Sequence, residues 1–278
     1  MTGYRGRIAP SPTGYLHLGH AITFWRAQER AQRNGGKLVL RIEDLDNDRC
    51  AAEFRDAIID DLHWFGLRWD EGPDIGGACA PYLQSERREI YLAEWKKLRD
   101  AALIYPCVCS RRDVLQSAFA PHHENEEPVY PGTCRPKKGT ISHFASPAGQ
   151  NWRFRVPDGE ELQFVDHRLG KQRAIAGVDF GDFLVWRKDD VPAYQLAVVA
   201  DDAAMQISEV VRGADLLLST FRQLLIYRAL HLRIPQFCHT ELITDSSGRR
   251  LAKRDKALGL KELRKAGAEP KNLQRRYL

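Results

Sequence analysis

Two short motifs at opposite ends of the chain constrain it most. Near the start stands Arg7-Ile-Ala-Pro-Ser11-Pro-Thr-Gly14-Tyr-Leu-His17-Leu-Gly19-His20, and near the end Arg250-Leu251-Ala252-Lys253-Arg254. The first reads as strand, turn and helix: an apolar start, a corner rich in proline and glycine, then the apolar run Ala21-Ile22-Thr23-Phe24-Trp25. His17 and His20 are therefore expected at the entrance of a helix, where open backbone N–H groups and the helix dipole favour phosphate. Gly19 leaves room for a nucleotide against the backbone. Lys253 brings a mobile positive charge to a departing phosphate. In this order the two motifs imply chemistry at the α-phosphate of ATP.

The chain has 278 residues, 43% hydrophobic and 28% charged, enough for one large domain or two small ones of ordinary globular composition. No apolar run reaches membrane-spanning length and no apolar signal core follows the start, so no membrane partner and a cytoplasmic location are expected. The six cysteines are irregularly spaced and form no disulfide framework, which suits a reducing compartment. The net charge of +5 is uneven, with many of the cations between Arg249 and Arg276. Such a basic edge suits a polyanionic partner, although Leu258–Gly267 alone reads equally well as a solvated helix face.

Lys37–Ile42 reads as a buried strand, and Ala51–Phe65 and Arg87–Ala102 as helices. Alternating strands and helices predict an α/β fold with a parallel sheet, whose ligands gather at the carboxyl ends of the strands. His17, His20 and Glu43 all follow predicted strands. Periodicity weakens over residues 106–150, with Thr140–Gln150 expected to be the most flexible stretch. Short strands are expected at Trp152–Val156, Leu162–Val165 and Phe180–Arg187. The α/β pattern resumes with a helix over Tyr194–Val199, a strand near Glu209–Val211 and a helix over Ser219–Leu232.

Within the weakly periodic block, Cys107-Val-Cys109 precedes Tyr130-Pro-Gly-Thr-Cys134. Thiolates bind zinc well, and a metal would order a loop-rich segment with little core of its own. Spacing leaves the fourth ligand open among Tyr130, His122 and His123. Arg212, in Val210-Val211-Arg212-Gly213-Ala214-Asp215, ends an apolar run, where a cation needs a partner or a ligand; Asp215 is the candidate partner.

Both motifs resemble the HIGH and KMSKS signatures of class I aminoacyl-tRNA synthetases. The extended first motif, followed by Arg41-Ile42-Glu43-Asp44, is similar to the glutamyl branch of that family. The second motif departs from the usual pattern, with Arg250 and Ala252 where Lys and Ser are common; Arg keeps the charge and Lys253 is retained. The resemblance implies a Rossmann-like catalytic domain with an inserted zinc-containing, acceptor-binding subdomain and a short helical C-terminal region. Its implied boundaries are 1–105 and 191–240 for the catalytic halves, 106–190 for the insertion, and 241–278 for the second-motif loop and helical end. It further implies that His17, His20 and Lys253 stabilise the reaction, that these three with Gly19 bind ATP, and that magnesium accompanies the nucleotide. By the same resemblance Arg7, Ser11, Glu43, Tyr194 and Arg212 bind L-glutamate. Two arginines would bracket the side-chain carboxylate, Glu43 would accept from the α-ammonium group, and Ser11 and Tyr194 would add neutral polar contacts. A Cys-x-Cys…Tyr-x3-Cys pattern in the family selects Tyr130, giving Cys107, Cys109, Tyr130 and Cys134 around one structural zinc ion.

The resemblance runs from Arg7 to about Lys256. Too few residues follow Arg254 to build the helical anticodon-binding domain of a full glutamyl enzyme. The expectation is therefore the shortened branch members, which activate glutamate without tRNA and pass it to queuosine in the anticodon stem-loop of tRNA(Asp). Tyr194-Gln-Leu-Ala-Val198-Val fits the same members, and a monomer is expected. The alternatives are an enzyme charging the 3′ end of tRNA(Glu), and a synthetase-like binding protein without chemistry.

Overall fold

The computed structural model describes residues 3–46, 49–110, 113–114, 129–242 and 259–277. Strand β1 (Arg5–Ile8) pairs in parallel with β2 (Lys37–Leu40), and helix α1 (Leu18–Arg33) connects them. Leu18, Ala21, Ile22, Gln28 and Ala31 of α1 are buried, at the three- and four-residue steps of one helical face. Helix α2 (Ala52–Phe65) buries Ile58, Leu62 and Phe65 and ends on Gly66, whose φ of 97° would strain any side chain. Helix α3 (Arg88–Asp100) buries Tyr91, Trp95 and Leu98.

Three strands, β3 (Ile104–Cys107), β4 (Asn151–Phe154) and β7 (Phe183–Trp186), form an antiparallel sheet in the order β3-β4-β7. Between them in sequence, β5 (Glu161–Asp166) and β6 (Gly170–Ile175) form a hairpin. This hairpin joins a different sheet, with order β6-β5-β9-β8. There β8 (Glu209–Gly213) and β9 (Gln236–Thr240) run parallel, and β5 meets β9 at Asp166 and Phe237. Residues 106–190 thus contribute strands to two sheets, one of them shared with β8 and β9. Thr140–Gln150 contains neither helix nor strand.

Helix α4 (Tyr194–Ala204) is longer than its apolar pattern suggests, and α5 (Leu217–Ala229) follows β8. Two short helices, α6 (Leu260–Lys265) and α7 (Pro270–Tyr277), end the described chain. The parallel pairs meet edge to edge. The N–H of Ser208 donates to the carbonyl of Arg5 at 2.9 Å, and Tyr4 Oη donates to Glu209 at 2.6 Å. One apolar cluster fills the space beneath β1, β2, α1 and α2, including Ile8, Leu18, Leu40, Leu62 and Val211. The larger one gathers Trp95, Trp152, Trp186, Leu196, Val210, Ile226 and Phe237. Each fully buried large side chain contributes on the order of 1.5–3 kcal/mol over its exposed state. No helix among the described residues is long and apolar enough to cross a membrane.

Helix α4 also buries two consecutive acids. Asp201 accepts from Arg87 Nε at 2.6 Å, Gln84 Nε2 at 2.7 Å and Tyr91 Oη at 2.9 Å. Asp202 accepts from Arg41 Nη1 at 2.6 Å and lies 3.5 Å from Arg7 Nε. Buried charges persist only when paired in this way. These pairs attach α4 to β1, the end of β2 and α3.

Candidate active site

A cavity of about 690 Å³ opens above the carboxyl ends of β1, β2 and β8. Arg7, Ser11, His17, Gly19, His20, Glu43, Tyr194 and Arg212 all line it. The expected site residues that lie in described chain are therefore gathered in one cavity, the metal group excepted. Lys253, with the rest of Arg250–Arg254, and His122 and His123 lie outside the described residues.

On one side of the cavity, His17 is the N-cap of α1 and His20 stands in its first turn. Their rings stack with centroids 3.7 Å apart. A Cβ at Gly19 would come within 3.1 Å of the His17 ring, so this glycine makes room for the imidazole itself. The first turn of α1 carries no acidic residue. Its N–H groups and dipole therefore present an uncompensated positive end to the cavity.

On the other side are the arginines, each only 4% exposed. Arg7 ends near β8, donating from Nη1 to the carbonyl of Val211 at 3.1 Å. Arg212 donates from Nη2 to Thr220 Oγ1 at 2.7 Å and from Nε to His239 Nε2 at 3.3 Å. The alternative of a structural pair with Asp215 is not the arrangement found: the anchoring groups are Thr220 and His239, because α5 and β9 pack against that face of β8. Arg212 Nη1 has no hydrogen-bond partner among the described residues. Burial pulls the Arg212 pKa below its ordinary value, and neighbouring Arg7 adds to the effect, while Tyr194 opposes it.

Glu43 sits where the chain turns away from β2, its N–H held by the carbonyl of Pro10 at 2.9 Å. One carboxylate oxygen accepts from Arg41 Nη2 at 2.9 Å. Burial raises the Glu43 pKa, and the charge of Arg41 restrains the rise. Tyr194 lines the cavity and is 37% exposed, and burial raises its phenol pKa. Composition and motif spacing did not single out Asp202, His239 or Thr220, and Arg41 entered only as a motif neighbour of Glu43. A signal did exist for the acid: Asp201-Asp202 interrupts the otherwise apolar run Leu196–Ala200 and Ala203-Ala204, an improbable place for solvent-facing charges.

A second cluster lies apart from the cavity. The sulfurs of Cys107, Cys109 and Cys134 all fall within 4.8 Å of one another. Tyr130 Oη is 3.4 Å from Cys107 Sγ and 3.6 Å from Cys109 Sγ, and accepts from the N–H of Cys134 at 2.9 Å. Ligands about 2.3 Å from a tetrahedral zinc stand about 3.8 Å apart, so this set fits such an ion. Burial acts to raise the Cys134 thiol pKa, but the N–H of Val108 and hydrogen bonds with Tyr130, Cys109 and Cys107 outweigh it and bring it to about 7. Arg153 donates from Nε to Cys107 Sγ at 3.3 Å and stacks over the Tyr130 ring at 3.9 Å. That cation would offset the negative charge of thiolates gathered around a metal. All six cysteines are free.

Residues 4–277 match the family described as tRNA synthetases class I (E and Q), catalytic domain. The chain belongs to that family. Membership makes it a ligase of the class I synthetase kind, with an α/β catalytic domain. It is 45% identical over 273 residues to the glutamyl-Q tRNA(Asp) synthetase of Nitratidesulfovibrio vulgaris, covering 97% of this chain and 83% of the relative. To the glutamyl-Q tRNA(Asp) synthetase of Symbiobacterium thermophilum it is 46% identical, covering 96% and 83%. To glutamate–tRNA ligase 2 of Nitrosococcus oceani it is 39% identical, covering 98% of this chain but 58% of that protein. Among solved structures, a glutamate tRNA ligase from Elizabethkingia meningosepticum in complex with its amino acid superposes with a TM-score of 0.75 at 30% identity. That match covers 91% of this chain and 52% of the other, so the chain spans about half the length of that ligase.

Proposed function

We propose that the chain activates L-glutamate with magnesium-bound ATP, without needing tRNA, and transfers the glutamyl group to the cyclopentenediol of queuosine in the anticodon of tRNA(Asp). The observation that carries the first half is the pairing of two buried arginines, Arg7 and Arg212, with Glu43 in the cavity that also holds His17 and His20. Buried cations facing a cavity select an anionic ligand, and a carboxylate across from them selects an ammonium group. A site matched to a carboxylate rejects glutamine, whose amide cannot satisfy both arginines.

In the first step an oxygen of the glutamate α-carboxylate attacks the α-phosphorus and pyrophosphate departs. His17, His20 and the amino end of α1 hold the phosphates, and Lys253 would meet the charge on the leaving group. Positioning and electrostatics suffice here, since no protein nucleophile is needed. In the second step a queuosine hydroxyl attacks the acyl carbon, an ester forms, AMP leaves and the hydroxyl proton is lost. The queuosine diol offers the same vicinal geometry as a terminal ribose. Similarity to two relatives named for this acceptor supports it over the ribose of tRNA(Glu). Cys107, Cys109, Tyr130 and Cys134 would hold one zinc ion, which when bound orders the segment around β3 and gives it a rigid surface for RNA.

Transfer of labelled glutamate to purified tRNA(Asp), with and without queuosine, beside tRNA(Glu), tests the reading. Label confined to queuosine-containing tRNA(Asp) supports it. Label on tRNA(Glu) replaces it with ordinary 3′-end charging, and absence of glutamate-dependent pyrophosphate exchange removes the catalytic reading altogether.

A further inference from the structure

Behind Arg212 lies a chain of buried polar groups that does not touch the cavity. His239, on β9, is 0% exposed. Its Nδ1 is 2.7 Å from Asp166 Oδ2, which also accepts the N–H of His239 at 3.0 Å. The other oxygen of Asp166 accepts from the N–H groups of Arg168 and Leu169, each at 2.9 Å. A carboxylate holding this many donors is ionised and can only accept. The ring must therefore carry its proton on Nδ1.

The opposite nitrogen then presents a lone pair. His239 Nε2 lies 3.0 Å from Thr220 Oγ1 and receives Arg212 Nε at 3.3 Å, while Thr220 Oγ1 accepts from Arg212 Nη2 at 2.7 Å. One edge of the guanidinium, Nε and Nη2, is thus fixed by two neutral acceptors, and Nη1 is left over. A protonated ring would turn an N–H towards the arginine and repel it. Phe164 and Phe237 stand beside the ring, with centroids 6.2 Å and 6.3 Å away. Neither offers a competing partner.

We propose that His239, held by Asp166 as the neutral Nδ1–H tautomer, is a positioning residue that sets the guanidinium of Arg212 for the side-chain carboxylate of the amino-acid substrate. This rests on Arg212 being a glutamate ligand, as proposed above. A neutral acceptor anchors the arginine without neutralising it, so the whole charge remains for the substrate. A carboxylate in the same place would compete with the substrate for the same cation. Asp166 belongs to the β5–β6 hairpin, within residues 106–190. That segment consequently reaches the amino-acid pocket from behind.

The test is glutamate-dependent pyrophosphate exchange by the full chain, with glutamate and ATP varied separately. His239→Gln places an amide oxygen where Nε2 stands, whereas His239→Asn reaches only the Nδ1 position. The expected result is a rise of roughly tenfold or more in the KM for glutamate in His239→Asn, with much of it recovered in His239→Gln. The KM for ATP should stay within about twofold in both. Adding His239→Asn to Arg212→Ala should cost little beyond Arg212→Ala alone, because the histidine acts through the arginine. An unchanged glutamate KM in His239→Asn, beside an impaired Arg212→Ala, would overturn the positioning role and leave the glutamate pocket standing. Equal rises in both KM values, or multiplying effects in the double variant, would also overturn it in favour of general structural damage. If Arg212→Ala itself leaves glutamate kinetics untouched, the pocket assignment fails and takes this inference with it.

Discussion

The backbone N–H of Leu260 reaches the carbonyl of Leu16 at 2.8 Å, and the adjoining Gly259 and His17 form an isolated antiparallel bridge. The chain that returns after the second motif is therefore fastened beside the first histidine. The side chain of Leu260 is fully buried in the cluster of Leu16, Leu18, Ile58 and Leu62. Truncation to Leu260→Ala should cost about 2–5 kcal/mol of packing. It should raise the KM for ATP more than the KM for glutamate in pyrophosphate exchange. Equal effects on the two substrates would show that this anchor does not serve the nucleotide side.

Arg212→Ala should impair glutamate activation by about 2–4 kcal/mol, roughly 30- to 1,000-fold in kcat/KM, with little change for ATP. Steady-state pyrophosphate exchange measures both. Unchanged glutamate kinetics would remove Arg212 from the site.

Asp202→Asn leaves Arg7 and Arg41 without their shared buried counter-charge. Breaking a buried pair in this way costs about 3–5 kcal/mol. Urea unfolding should show a midpoint well below that of the parent. A midpoint unchanged within error would mean that Asp202 does little to hold the two arginines.

Much of this organisation was legible in the sequence. Tyr91, Trp95 and Leu98 recur at helical spacing, and Lys37–Leu40 is apolar enough to be read as a strand buried on both faces. The partners were not legible, because they are set by groups far away in sequence. Asp201 and Asp202 stand out in an apolar run, but nothing near them in sequence names Arg87 and Arg41 as the cations they meet. Arg212 has an acid three residues on, yet β9 and α5 supply its actual anchors. Nothing local in Glu161–Asp166 announces that it will pair with β9, since a strand's partner is chosen by tertiary packing.

Metal analysis of the purified chain should find about one zinc per molecule, falling below about half in Cys134→Ser. Removal by a chelator should lower the melting temperature, because ordering around β3 would then lack its cross-link. Zinc-free protein with undiminished stability would leave the cluster as reduced thiols.

Asp61, on α2, is 5% exposed, and its carboxyl is raised to about 6, chiefly by burial against the pull of Arg264. Below an unfolded-state value of about 4 both states are protonated and the residue costs nothing. Stability is lost as pH rises from about 4 to about 6, by on the order of 1–3 kcal/mol, and the loss persists above that range. Asp61→Asn should therefore match the parent near pH 4 and exceed it near neutrality. Urea midpoints at the two pH values check this, and a constant difference between the proteins would contradict it.

Helix α4 brings acids from one region of the chain to cations from another. Arg7, Arg41 and Arg87 all precede the long middle segment, and Asp201 and Asp202 follow it. Before α4 docks, those arginines must remain hydrated, since burying them alone is too costly. The upper face of β1 and β2 is closed by charge as much as by apolar packing. The substrate cavity is thus walled by chain from both sides of the middle segment, and the same ion pairs that bury the arginines join its two walls.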